Sequence, residues 1–112
     1  MAYACKHVNF LKKLHKCKKS NRNHLIEECD KERVYAICEC SDNILRGEIP
    51  ITPRQKQRLK KHVNTLKNLA DSSINWKKKQ TYLKSQEGGA ILSTVLGIAL
   101  PALISYLASK IN

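Results

Sequence analysis

The sequence predicts an all-α protein, a small bundle of short helices with a separate hydrophobic C-terminal helix. Three observations predict it. Apolar residues recur every three or four positions through residues 31–46. A helix start signal, Thr52 with Pro53 and Gln55, stands before a second periodic segment. Residues 88–109, GGAILSTVLGIALPALISYLAS, run 22 positions without a charge.

Residues 5–19 place Val8, Phe10, Leu11 and Leu14 at rough helical spacing among lysines, a weak basic amphipathic helix. The run Ser20, Asn21, Arg22, Asn23 interrupts it, and Asn23 is suited to cap a short second helix through Glu28. Residues 1–30 thus read as a basic N-terminal arm that contains Cys and His. In residues 31–46 Val34, Ile37, Cys38, Ser41, Ile44 and Leu45 share one helix face, with Glu32, Glu39 and Asp42 on the other. Gly47 sits where a left-handed C-terminal cap belongs. Pro50 keeps the preceding residue out of the helical region, so residues 48–51 are extended. Thr52 and Gln55 form a capping box, and Pro53 fits the first helical position. The helix that follows is expected over residues 53–70, with Leu59, Val63, Leu66 and Ala70 as its apolar face. Asp71, Ser72 and Ser73 end it and are suited to cap the next helix. A second basic helix is expected over residues 74–86 and holds Trp76 and Tyr82. Residues 31–87 are thus a helical region built around a basic pair, 53–70 and 74–86. Gly88 and Gly89 are expected to act as a hinge into residues 88–112.

A chain of 112 residues is one domain at most. With 22 of them in the uncharged tail, the remaining body has a marginal core. The net charge of +12 is unevenly spread. Residues 1–22 carry seven Lys/Arg and no acid. Residues 23–49 carry three bases and seven acids. Residues 50–86 carry ten bases and Asp71 alone on the other side. Such an excess favours polyanions, either nucleic acid or an anionic membrane face. The five Cys are an odd number, and the Met1 end lacks the apolar run of a secretory signal, so free thiols in a reducing compartment are expected.

Cys5, His7, His15, Cys17, His24, Cys29, Cys38 and Cys40 crowd the first forty residues but lack the paired spacing of a zinc site. No metal or other cofactor is expected. Cys38 reads as a small apolar core residue. There is no Gly-rich phosphate loop, no nucleophile elbow and no carboxylate pair on a basic face, so no catalytic residue is assigned and a non-enzymatic role is expected. Glu27, Glu28, Glu32 and Glu39 read as a solvated face, with an internal counterion for the basic segments as the sharper alternative. The candidate nucleic-acid contacts are Arg54, Lys56, Arg58, Lys60, Lys61, Lys67, Lys77, Lys78, Lys79 and Lys84. Each phosphate they neutralise releases a counterion, so binding is expected to be sequence-independent and salt-sensitive.

Residues 90–109 give 20 positions before Lys110, enough at ~1.5 Å per residue to cross a ~30 Å hydrocarbon layer. Pro101 is expected to kink this helix, and Gly97 with several Ala and Ser gives it a small-residue face. Three readings are open: the helix spans a membrane, lies in one as a lytic or anchoring peptide, or is the buried central helix of a small bundle. A basic body of about 90 residues does not easily cover a helix apolar on all sides, so membrane, or a homo-oligomer or capsid shell, is the expected cover.

The order of a Lys-rich segment, Gly-Gly and an aliphatic run with an internal Pro resembles the precursor of the adenovirus core protein X, or mu. More of the chain resembles small basic proteins of adenovirus-like Maverick/Polinton elements, the adintoviruses. The residues that carry this are CECSDNILRGEIPITPRQKQRLKKH from Cys38, LKNLAD from Leu66, and WKKKQTYLKSQEGGAIL from Trp76. Within the first lies the turn LRGEIPIT, Leu45 to Thr52. The resemblance covers about half of the chain. It implies a virion component that neutralises or packs double-stranded DNA, located in the virion or nucleus. It also implies processing by a viral-type cysteine protease at Gly88, Gly89 and Ala90, with the cut after Gly89. The chain departs from the pattern in carrying Gln86, not an aliphatic residue, four positions before that bond, and in using Lys more than Arg, a looser phosphate ligand. The alternative is a membrane-active or tail-anchored protein on an intracellular membrane, whose lysines hold it to anionic lipid.

Overall fold

Helix is the only regular structure among residues 2–111, which the computed structural model describes with the exception of the Ile111 side chain. The all-α expectation is met. The helices are α1 Ala2–Lys6, α2 Val8–Lys16, α3 Lys19–Glu27, α4 Lys31–Leu45, α5 Pro53–Lys60, α6 Val63–Ala70, α7 Trp76–Leu83 and α8 Gln86–Ile111.

Several boundaries follow directly from local chemistry. The Asp30 carboxylate accepts a bond from the Arg33 amide at 2.9 Å and starts α4. Gly47, at φ 74°, takes the left-handed conformation after α4 that other residues adopt only with strain. At α5 both halves of the capping box form: the Gln55 amide donates to Thr52 Oγ1 at 3.1 Å, and the Thr52 amide donates to Gln55 Oε1 at 2.9 Å. The start of α7 differs from the expectation. Asp71 bonds Ser73 instead, and Asn75 is the cap, accepting from the Lys77 amide at 2.8 Å.

The N-terminal segment is three helices, where the sequence suggests two. His7 bends the first at φ −111°, ψ 27°, and the extended Lys18 separates α2 from α3. Ser20 to Asn23 lie inside α3 and do not interrupt it. The expected helix over 53–70 is likewise bent at His62, φ −119° and ψ 20°. That residue rotates the buried face: Thr65, Leu66 and Leu69 turn inward, and Val63 is left 39% exposed.

The central helix is α4, which packs against α1, α2, α6, α7 and α8. The expectation of a separate C-terminal helix is corrected. Helix α8 lies on the bundle, against α1, α2, α4 and α7. Gly89 sits beside Arg22 of α3 and Gly97 beside His15 of α2, so α8 runs antiparallel to the N-terminal segment. Ile91, Leu92, Val95, Leu96, Ile98, Ala99, Leu100 and Leu103 are buried and join Leu11, Leu14, Ile26, Ile37, Leu66 and Leu83 in one core. The N-terminal helices are thus the cover of α8: their lysines face water while Leu11 and Leu14 face inward. The Cα radius of gyration, 13.1 Å, is that of a folded chain of this length (about 13 Å) and leaves no room for a protruding tail.

Gly88 and Gly89 do not break the chain. They lie in the first turn of α8, whose cap is Ser85: the Gly88 amide donates to Ser85 Oγ at 3.0 Å. Pro101 also lies inside the helix, on its exposed side. Its missing N–H leaves the Gly97 carbonyl without its intrahelical partner.

Candidate polyanion-binding surface

The basic residues of α5 are set by its cap and its phase. With about 100° per residue, Arg54, Arg58 and Lys61 fall within about 60° of one another, and Lys56 and Lys60 lie on the other side. All five are exposed. Leu59 alone ties this helix into the core. Lys67 on α6 and Lys77 and Lys78 on α7 are exposed as well. These eight side chains have no carboxylate oxygen within 4.0 Å among the described residues.

Two of the ten candidate contacts are withdrawn from this surface. Lys79 is 5% exposed and lines a small cavity with Glu39 and Asp42 of α4. Lys84 is half-buried and pairs with Glu27 at 3.5 Å.

The acids face other partners. Glu32 holds Lys6 at 2.9 Å, and Glu39 accepts the Ala4 amide at 2.8 Å, so two carboxylates of α4 fasten α1. Asp30 and Asp42 pair with Arg33 and Arg46 near the ends of their own helix. Asp71, the one acid of the basic segment, is held below the usual carboxylate range by its bonds from the Ser73 hydroxyl and amide. The excess of α5, α6 and α7 is therefore left unanswered within the described chain.

The aromatic residues beside these lysines are occupied. Trp76 packs on the cluster of Cys29, Val34 and Cys38, with the Lys77 ammonium 5.7 Å from its ring centre. The Tyr82 hydroxyl donates to Thr65 Oγ1 at 3.2 Å, and its ring packs on the core. Neither is free to stack on a base. What the surface offers is charge, which neutralises a phosphate backbone without reading sequence.

The Cys and His residues do not converge: among the described residues no three of His, Cys, Asp and Glu are placed to hold a metal ion. All five thiols are free. Burial pushes Cys29 and Cys40 up to about 12 and Cys38 to about 11, so these thiols stay protonated.

The Gly88 and Gly89 pair has a packing role that its sequence does not announce. A Cβ on Gly88 would lie 2.0 Å from the Tyr82 carbonyl oxygen and 3.0 Å from Leu83 Cα. Only glycine allows the end of α7 and the start of α8 to approach this closely. A Cβ on Gly89 would meet the Arg22 guanidinium at 3.1 Å. Both glycines are buried and helical, and Ala90 is exposed. A protease that binds extended substrate reaches the bond after Gly89 only when this turn unwinds.

No family model, no curated protein and no solved structure matches the chain.

Proposed function

We propose that the protein is a non-enzymatic, sequence-independent binder of double-stranded DNA, acting through Arg54, Lys56, Arg58, Lys60, Lys61, Lys67, Lys77 and Lys78. The observation that carries this reading is the set of eight exposed cations without an acidic partner among the described residues. A phosphate backbone relieves their mutual repulsion and releases counterions. In the setting that the adenovirus-like resemblance implies, the role is charge neutralisation of packaged DNA in a virion core. The test is fluorescence anisotropy of the full chain with two unrelated duplexes at 50 and 200 mM salt. If four of the eight cations meet phosphates, the log–log slope is about −3.6 and affinity falls about 150-fold over that range. Equal affinity for both duplexes is expected, and absence of binding at 50 mM would refute the reading.

One observation favours a second reading, attachment to an anionic membrane. Gln86–Lys110 is long and apolar enough to cross a bilayer by length and composition, and 44% of its most apolar window is buried in the bundle. This reading requires α8 to leave the bundle, and leakage of anionic but not neutral vesicles by the full chain would support it.

A further inference from the structure

Among the described residues five large hydrophobic side chains are exposed, and two of them, Leu45 at 36% and Val63 at 39%, line the same groove. It lies between the end of α4, the segment before α5, α5 itself and the start of α6, with a volume of about 530 Å³. Ile44, Leu59 and Leu66 contribute buried apolar surface to it. Among the described residues Lys56 and Lys60, one turn apart on α5, are its only charged lining, with no acid beside them. These are the two cations that the phase of α5 turns away from Arg54, Arg58 and Lys61.

A phosphate backbone accounts for the outer cations but leaves this apolar groove unfilled. A neutral lipid fills the groove and leaves two ammonium groups unanswered. Ten residues line the site, against the ~20–30 per side of a stable protein interface. Its volume falls within the ~300–1,000 Å³ of small-ligand sites, which are mostly apolar with a few placed polar groups. We propose that the groove is a binding site for a long-chain fatty-acid anion. The hydrocarbon chain lies on Ile44, Leu59 and Leu66 between Leu45 and Val63, and the carboxylate is held by Lys56 and Lys60. The site shares Lys56 and Lys60 with the DNA-binding reading, whose other six cations lie outside the groove.

Titration calorimetry and amide chemical shifts of the full chain with monomeric oleate test it. One molecule is expected to bind, with shifts confined to the groove. Lys56→Gln with Lys60→Gln should weaken binding at least tenfold. Lys18→Gln with Lys19→Gln removes the same charge at the start of α3 and should change it less than threefold. Val63→Trp fills the groove from an exposed position and should abolish oleate binding while the helical signal and DNA binding remain. Oleyl alcohol should bind at least tenfold more weakly than oleate. Equal losses in the two lysine pairs, shifts spread over all the lysine-bearing helices, or retained binding in Val63→Trp would overturn the proposal. So would groove shifts produced by an acidic amphipathic helical peptide where oleate produces none, which would assign the groove to a protein partner.

Discussion

Replacing Gly88 with alanine separates a hinge from a packing contact. Inside a helix alanine is about 1 kcal/mol better than glycine, so a flexible Gly-Gly linker or an open helix position should gain stability from the change. Here the new methyl would stand 2.0 Å from the Tyr82 oxygen, 2.8 Å from its carbonyl carbon and 3.0 Å from Leu83 Cα. All three are backbone atoms and none belongs to a side chain that can swing away. Overpacking of a filled site costs about 1–3 kcal/mol, and a contact this short against backbone falls at or beyond the upper end. The net loss is about 2 kcal/mol, or about 6–10 °C in Tm for a domain of this size. Two neighbours calibrate it. Gly89→Ala meets the movable end of Arg22 at 3.1 Å and should be close to neutral. Gly97→Ala is exposed, with His15 Cε1 at 3.8 Å, and should stabilise by about 0.5–1 kcal/mol. Thermal melts followed by circular dichroism give the order Gly97→Ala, wild type, Gly88→Ala. A Gly88→Ala protein that melts at or above the wild type would refute the close α7–α8 approach and restore the hinge.

Thr52→Ala removes the Thr52 half of the capping box and should cost about 1 kcal/mol, most of it recovered by Thr52→Ser, as read by urea unfolding. Under a thiol reagent near pH 8, the partly exposed Cys5 and Cys17 should react in the native state, and Cys29, Cys38 and Cys40 only on unfolding. The same three thiols make the protein alkali-sensitive. Their folded values lie above the ordinary thiol value of 9.0, so between pH 9 and about 12 the unfolded chain has lost protons that the folded chain keeps, and stability falls as pH rises. A melting temperature that is flat from pH 8.5 to 10.5, alone or with Cys29→Ala as a control, would contradict their burial.

What the sequence makes legible is local. Gly47 and the Thr52–Gln55 box are decided by interactions spanning five positions or fewer, and they form as read. Residues 31–46 are also read correctly as a helix, since their periodicity spans four turns. The failures are tertiary. Lys79 differs from Lys78 only in facing α4, which no one-dimensional pattern reveals. Gly88 resembles a linker residue unless the path of α7 is known. The bend at His62 moves Val63 out and Leu69 in, an effect of one residue that a fixed helical period cannot follow. The groove on α5 exists because of that bend. The apolar tail looks too greasy for so small a body to cover, but the N-terminal helices α1 and α2 supply the missing cover, with Ala4, Leu11 and Leu14 facing inward.

That cover constrains both functional readings. Helix α8 contributes seven buried side chains of valine size or larger to the core. At ~1.5–3 kcal/mol each their burial is worth ~10–21 kcal/mol, which matches or exceeds the ~5–15 kcal/mol net stability of a domain. A chain ending at residue 87 should therefore lose its cooperative melt and much of its helical signal, and DNA binding by such a fragment would report only on loose lysines. A membrane-inserted α8 strands Leu11, Leu14, Ile26 and Leu83 in the same way, so insertion and the folded bundle are alternative states of one chain. A cut after Gly89 has a milder consequence: the freed helix stays bound by the contacts that hold it now, and only the Ser85 cap and the Gly88 turn are lost. A fragment 1–87 that melts cooperatively within a few degrees of the full chain would show that α8 is a passenger, and would move the membrane reading ahead of the packaging one.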